Sequence, residues 1–379
     1  MRVLLALRSL QQAEGGPITA AFGLARALVM RGHEVTITAH DDGLGMESGL
    51  NATHPEDVRV MLFPLTRRLW EHSAEYARWL RSNVAHYDLV IVNSLWISHV
   101  HYAVKAAQRT GTPYIIRPHG CLTESDMAHH RGRKQLYWML EERENCRRAI
   151  LVHCTSESEA DDARALGLLN VENIPLGVDE DLFALDAPQR RRTTVLFVGR
   201  IAEKKGVDIL IRALATPVAT QAGLRLDVLG VDHRSLQPSL MALADEMGVA
   251  ARVTFHGHVD PQPRAEFLRT AGMLALPSKD ENFGLAVAEA MAAALPVVIT
   301  PHVSHARLVR ERSAGLVVER STKAFAAAMT ELASMADADY RAMADRARAA
   351  VRESYSWHRT AELLEQAIRR RSCRTTERR

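Results

Sequence analysis

The sequence predicts an α/β protein of two parallel-sheet domains, and three observations support that class. At 379 residues the chain is longer than one ordinary domain core. Short apolar runs alternate with amphipathic stretches along most of it, the pattern of strands and covering helices in a parallel sheet. The alternation breaks at residues 175–193, where two prolines, a glycine, several acids and Arg190-Arg191-Arg192 intervene, and it resumes at Thr194.

In the first half, the runs at 2–7, 34–39, 58–63, 88–92, 113–117 and 149–153 are expected strands, with helices between them. The run from Met1 to Arg8 is too short for a signal-peptide core and reads as the first strand. The second series continues near 225–229, 252–256, 273–276, 296–299 and 315–318. A helical stretch follows from about Asp337 to Arg371. The expected partition is 1–174, a linker at 175–193, 194–355, and a terminal segment at 356–379 that ends in a solvated basic tail.

Composition narrows the classes. Apolar residues make up 47% of the chain and charged residues 25%, as in an ordinary soluble globular protein. The net charge of +3 comes from dispersed cations with no zinc-finger or RNP motif, so no nucleic-acid partner is expected. Cys121, Cys146, Cys154 and Cys373 show no C-x2-C pairing and read as reduced thiols of a cytoplasmic protein. No window reaches the roughly 18 uninterrupted apolar residues of a membrane span. Any membrane role would be peripheral. Two stretches mixing aromatics and cations, Arg67 to Arg81 and Arg131 to Trp138, are read as helices. They are packed helices with snorkelling arginines or, on the alternative reading, surfaces for anionic lipid.

The most informative residues are Glu281 and Glu289, with seven residues between them. Glu281 is expected in a loop after the apolar run 273–277, and Glu289 about a turn and a half into an Ala-rich helix that starts near Gly284. The amides of Asn282, Phe283 and Gly284 would be free donors at that helix start, where the macrodipole favours an anion. Two carboxylates flanking an anion cradle suit a ligand with hydroxyls at both ends and phosphates between. A nucleotide sugar has that layout.

Other candidates also follow expected strands. Arg200 follows the strand ending at Val198, and Lys205 lies just beyond it. Fixed cations there would stabilise charge developing on a leaving diphosphate. His119 follows the strand ending at Arg117, with Arg117 and Glu124 as nearby polar candidates. Asn93 to Trp96 follow the strand at 88–92, and Ser156 with Glu157 are read as a helix cap. Ala13 to Thr19 close a first strand-to-helix connection of about ten residues, where Gly15 and Gly16 allow close backbone approach. It lacks the strict G-x-G-x-x-G, and no acid is expected at the end of the second strand, so no dinucleotide cofactor is expected. The Asp-x-Asp spacings, Asp179 to Asp181 and Asp337 to Asp339, follow no expected strand, so no metal requirement is expected.

These residues carry a resemblance. Glu281 to Glu289 resemble the donor-binding E-x7-E motif of retaining GT-B glycosyltransferases, particularly glycosyltransferase family 4. Val195 to Arg200 followed by Lys205-Gly206 resemble that family's G-R-x4-K-G segment, Pro175 to Asp179 its interdomain P-x-G-V-D, and Arg117-Pro118-His119-Gly120 its H-G site. The four occur in the family's order. Asn282 departs from the S-x-x-E-G-F-G form, with Asn in place of the usual Gly before Phe283.

The resemblance implies two Rossmann-like domains facing across a cleft, with the chain kinking near Trp357 so that its last helix crosses back to the first domain. It implies that residues 1–174 form the acceptor side and 194–355 the donor side. His119, Arg200, Lys205 and Glu281 would be catalytic, and Gly15, Gly16, Asn282, Phe283, Gly284, Leu285 and Glu289 would bind the donor. The donor would be a UDP-sugar or GDP-mannose, and the acceptor a saccharide or lipid-linked saccharide in envelope polysaccharide or glycolipid synthesis. A silent nucleotide-sugar-binding partner protein and a nucleotide-sugar epimerase are the alternatives.

Overall fold

The computed structural model describes residues 1–10, 16–41, 57–67, 69–128, 131–185, 190–232 and 235–376. The chain divides into two compact units, Met1–Gly177 with Trp357–Arg379, and Val178–Ser356.

In the first unit, seven described strands form one parallel sheet. They are β1 (Arg2–Ser9), β2 (Glu34–Asp41), β3 (Val58–Pro64), β4 (Leu89–Asn93), β5 (Tyr114–Arg117), β6 (Leu151–Cys154) and β7 (Val171–Asn173). Their order is β3-β2-β1-β4-β5-β6-β7. β1 and β4 are buried on both faces along most of their length, which is why they read as continuous apolar runs rather than alternating ones. β7 was not expected: three residues with a single apolar side chain give no periodicity to read.

Three further differences concern boundaries. β2 continues to Asp41, so an acid does end the second strand, against the sequence expectation. The helix Gly16–Met30 begins at Gly16, so the connection after β1 is only residues 10–15. The stretch from Arg67 is not one helix. Trp70 and Glu71 have φ of 57° and 50°, and a helix starts only at Ala74, where Ser73 accepts from the Tyr76 amide.

The second unit repeats the design with six described strands, β8 (Arg191–Val198), β9 (Arg225–Leu229), β10 (Val253–Gly257), β11 (Ala271–Leu276), β12 (Val297–Ile299) and β13 (Gly315–Val317). Their order is β10-β9-β8-β11-β12-β13, again all parallel. The order reverses between β8 and β11, and a crevice at such a switch point is where open α/β sheets bind ligands. β8 starts at Arg191, inside the stretch expected as linker. The arginines there are structural: Arg190 donates to the carbonyls of Leu268, Ala271 and Ala293, and Arg192 to those of Leu332 and Met335.

The C-terminal helical stretch is broken where the resemblance implied. One helix spans Asp337–Ser354 and the next Trp357–Thr376. Between them the Tyr355 carbonyl accepts from the Val178 amide at 3.3 Å. The last helix packs within the first unit. Arg31 and His33 hold Glu365 there at 2.6 and 3.0 Å, and Gly23 leaves the space that the Trp357 ring fills.

Candidate functional site

Each unit places candidate side chains after the C-terminal ends of its strands. In the second unit, β11 leads into the loop 277–284 and then into the helix Leu285–Ala292. Gly284 caps that helix with a φ of 70°, a left-handed conformation that costs glycine little. The loop is pinned from below. Thr300 donates to the Ser278 carbonyl at 2.6 Å, Ser304 to the Phe283 carbonyl at 2.6 Å, and the Glu281 amide to the His302 carbonyl at 3.3 Å. Phe283 packs edge-on against His305 and Tyr355, with ring centroids 4.9 and 5.3 Å away. With its carbonyls and aromatic anchor held, the loop presents the amides of Phe283, Gly284, Leu285 and Ala286, which donate to no acceptor among the described residues. Open amide donors at a helix start can bind an anion.

Of the second-unit residues singled out by sequence, Lys205 meets this loop. Lys205 ends the short turn Glu203–Lys205 after β8, and its ammonium pairs directly with the Glu281 carboxylate. Ser278 also donates to Glu281, at 3.1 Å. Gly206, with φ 75°, lets the two loops meet, because a Cβ there would lie 2.6 Å from the Pro277 carbonyl oxygen. Arg200 is exposed and has no ion-pair partner among the described residues. Glu289 is buried inside the helix, and Arg264 donates to it at 3.1 Å. Burial lifts the Glu289 carboxyl above the usual range, against the pull of Arg264.

In the first unit, Asn93 ends β4, Arg117 ends β5, and His119 stands two residues further with φ 52°. A non-glycine residue held in that region is strained, which is common at functional sites. Asn93 Oδ1 meets Arg117 Nη1 at 3.3 Å and His119 Nε2 at 3.0 Å. Burial, then the neighbouring Arg117 and His153, hold the His119 imidazole well below its ordinary pKa. Gly16 is the first residue of its helix, and Gly15 lies outside the described residues. Among the described residues, no three His, Cys, Asp or Glu side chains are grouped to hold a metal.

The family described as "Glycosyl transferase 4-like domain" matches residues 15–177, and "Glycosyl transferases group 1" matches residues 192–335. The chain belongs to glycosyltransferase family 4, of GT-B type. Among this family chain's relatives is the D-inositol 3-phosphate glycosyltransferase of Rhodococcus opacus, 36% identical over 47% of this chain and 41% of that one. The match thus spans about two-fifths of that relative's length. The enzyme of the same name from Xylanimonas cellulosilytica is 29% identical over 95% of this chain and 94% of its own. Two solved structures share the fold: Anabaena HepE in complex with UDP and glucose (TM-score 0.77, 19% identity, 97% and 99% covered) and sucrose-phosphate synthase from Thermosynechococcus elongatus (TM-score 0.80, 21% identity, 98% of each chain).

Sequence reasoning missed several residues of this family 4 chain. Arg264 gave no signal, because one arginine on a helix looks like any solvated cation. Arg320 donates to the Pro277 and Glu203 carbonyls, at 2.8 and 3.2 Å, from a loop distant in sequence. Glu159 was legible in part. With Ser156 it forms the S-x-x-E spacing of a capping box, and Ser156 does accept from its amide at 3.2 Å. Its carboxylate instead takes the amides of Thr155 and Gly120, at 2.8 and 2.5 Å, which ties the His119 loop to β6.

Proposed function

We propose that the chain transfers a sugar, with retention and without a metal, from a nucleoside diphosphate to an acceptor hydroxyl. The observation that carries this is the Lys205–Glu281 pair beside unpaired amides at the head of the helix Leu285–Ala292, with the exposed cation of Arg200 in the same unit. Diphosphate oxygens accept from those amides, and Arg200 and Lys205 stabilise the charge that grows as the glycosidic bond breaks. Glu281 binds sugar hydroxyls, Glu289 holds the ribose, and His119 contacts the transferred sugar. In a front-face displacement, the departing phosphate oxygen takes the acceptor proton while the new bond forms on the face the leaving group vacates. Residues 1–174 supply the acceptor side and 194–355 the donor side.

The donor is a UDP-sugar or GDP-mannose. HepE, whose structure holds UDP and glucose, favours testing UDP-glucose early, and the D-inositol 3-phosphate glycosyltransferases add inositol phosphate to the acceptors worth testing. The envelope role draws on a fold neighbour described as a glycosyltransferase involved in lipopolysaccharide biosynthesis. A cytoplasmic protein touching anionic lipid suits the helical stretch after Arg131, where Leu136, Met139 and Leu140 are 55%, 68% and 72% exposed.

The test is nucleotide release by purified protein over UDP-, GDP-, ADP- and TDP-sugars, with and without EDTA, beside Glu281→Ala. Release from one donor that survives EDTA and disappears in the variant supports the proposal. No release from any donor, with saccharide, inositol phosphate and lipid-linked acceptors present, overturns it in favour of a silent binding protein.

A further inference from the structure

Arg117 is the largest fully buried side chain of the first unit, and its charge is only partly met. Its Nε and Nη2 have no partner among the described residues, and only Nη1 reaches an acceptor, Asn93 Oδ1. A guanidinium can only donate, so the Asn93 atom it meets is the amide oxygen. The amide nitrogen then faces the other way, where it donates to the Ala6 carbonyl at 3.3 Å. Since that same oxygen lies 3.0 Å from His119 Nε2, the histidine must be the donor in that contact. A neutral ring with its proton on Nε2 carries its lone pair on Nδ1.

We infer that Asn93, oriented by the buried Arg117, is a positioning residue that fixes His119 as the neutral Nε2–H tautomer and presents Nδ1 as a hydrogen-bond acceptor for a ligand hydroxyl. The surroundings keep the ring uncharged. Arg117 on β5 supplies positive charge. His153 on β6 is held neutral by burial and then by Arg117, against the hydrogen bond its Nε2 makes to the Ile174 carbonyl at 2.7 Å. The carboxylate of Glu159, on the helix after β6, offsets part of the Arg117 charge and is occupied by the amides of Gly120 and Thr155. Burial, then the Arg117 cation, lower the pKa of His119, which keeps the acceptor available through neutral pH.

The ligand side of this inference rests on the transferase proposal; the tautomer does not. Long-range proton–nitrogen correlation spectra of histidine-labelled full chain, assigned with His119→Gln, read the tautomer directly. The expected result is a protonated Nε2 and an unprotonated Nδ1 that do not change between about pH 6 and 8. A proton on Nδ1, or an ordinary midpoint near 6.5, overturns the inference whether or not the protein turns over any donor. Asn93→Asp supplies a second reading. Its carboxylate favours the imidazolium, so the His119 midpoint rises, and turnover gains an acidic limb that the wild type lacks, with donor KM changed less than about threefold. An Asn93→Asp protein with wild-type nitrogen shifts and a wild-type pH profile would also overturn the inference.

Discussion

The two strand-end clusters use the same parallel-sheet geometry and opposite electrostatics. In the second unit, Lys205 and Glu281 are part-buried with some access to water, neutralise one another and sit beside open amides. In the first, Arg117 is buried with two unpartnered nitrogens, and its one hydrogen bond goes to a neutral amide. A neutral pair near water can be opened by an incoming anion at modest cost, whereas a buried cation cannot move without leaving charge stranded. On the proposed function, a charged ligand would exchange at the second unit's cluster and be oriented by the first unit's.

The largest expected effect comes from separating the Lys205–Glu281 pair. Glu281→Gln frees Lys205 for phosphate, so nucleoside diphosphate binding should tighten several-fold while transfer falls by about a hundredfold or more. Calorimetry of nucleotide binding beside turnover checks this. Weaker nucleotide binding would mean that the pair is structural, and would erase the contrast.

Next comes stability. Asn93→Leu removes the one acceptor of a buried guanidinium and should cost about 2–3 kcal/mol, whereas Lys205→Met, which leaves the part-buried Glu281 its hydrogen bond from Ser278, should cost about 1–2 kcal/mol. Denaturant melts of both variants read the difference. Equal losses would show the two clusters to be equally rigid.

A smaller effect is expected from pH. The hydrogen bond from Arg31, and after it that of His33, hold the Glu365 carboxyl down at about 2, against burial, which pushes it up. A carboxyl whose folded pKa lies below its unfolded value stabilises the fold above the unfolded value and loses that contribution as pH falls through the folded one. The first unit should therefore weaken between about pH 4.5 and pH 2. Glu365→Gln should lower stability at pH 7 by roughly 1–2 kcal/mol and flatten that acid limb. Melting temperature against pH measures both.

The smallest effect is expected at Lys204, which pairs with Asp280 at 2.9 Å while half exposed. Lys204→Ala should change stability by no more than about 0.5 kcal/mol at moderate salt. A larger, salt-sensitive loss would show that the surface charges of the second unit bear structure as well as ligand.

The fold was largely legible because buried parallel strands read as unbroken apolar runs and the runs restart after one interruption. β7 was not, since an edge strand of three residues leaves no period. Nor was the break at Trp70 and Glu71, which two left-handed residues decide. The Glu281 loop was legible because its carboxylates, glycine and helix start are contiguous, so spacing alone places them. Which of those charges meet was not. Lys205 finds Glu281 only because β8 and β11 are neighbours in the sheet.

The sequence by itself determined the class of fold, the order of its elements and the residues at the strand ends, since those depend on local periodicity. Only the tertiary structure decided the partners. Asn93, the Arg117–His119 turn and Glu159 come from three separate segments, and Glu289 meets Arg264 from another helix. Hydrogen bonds and ion pairs act over a few ångströms of space, and distance along the chain carries no record of them.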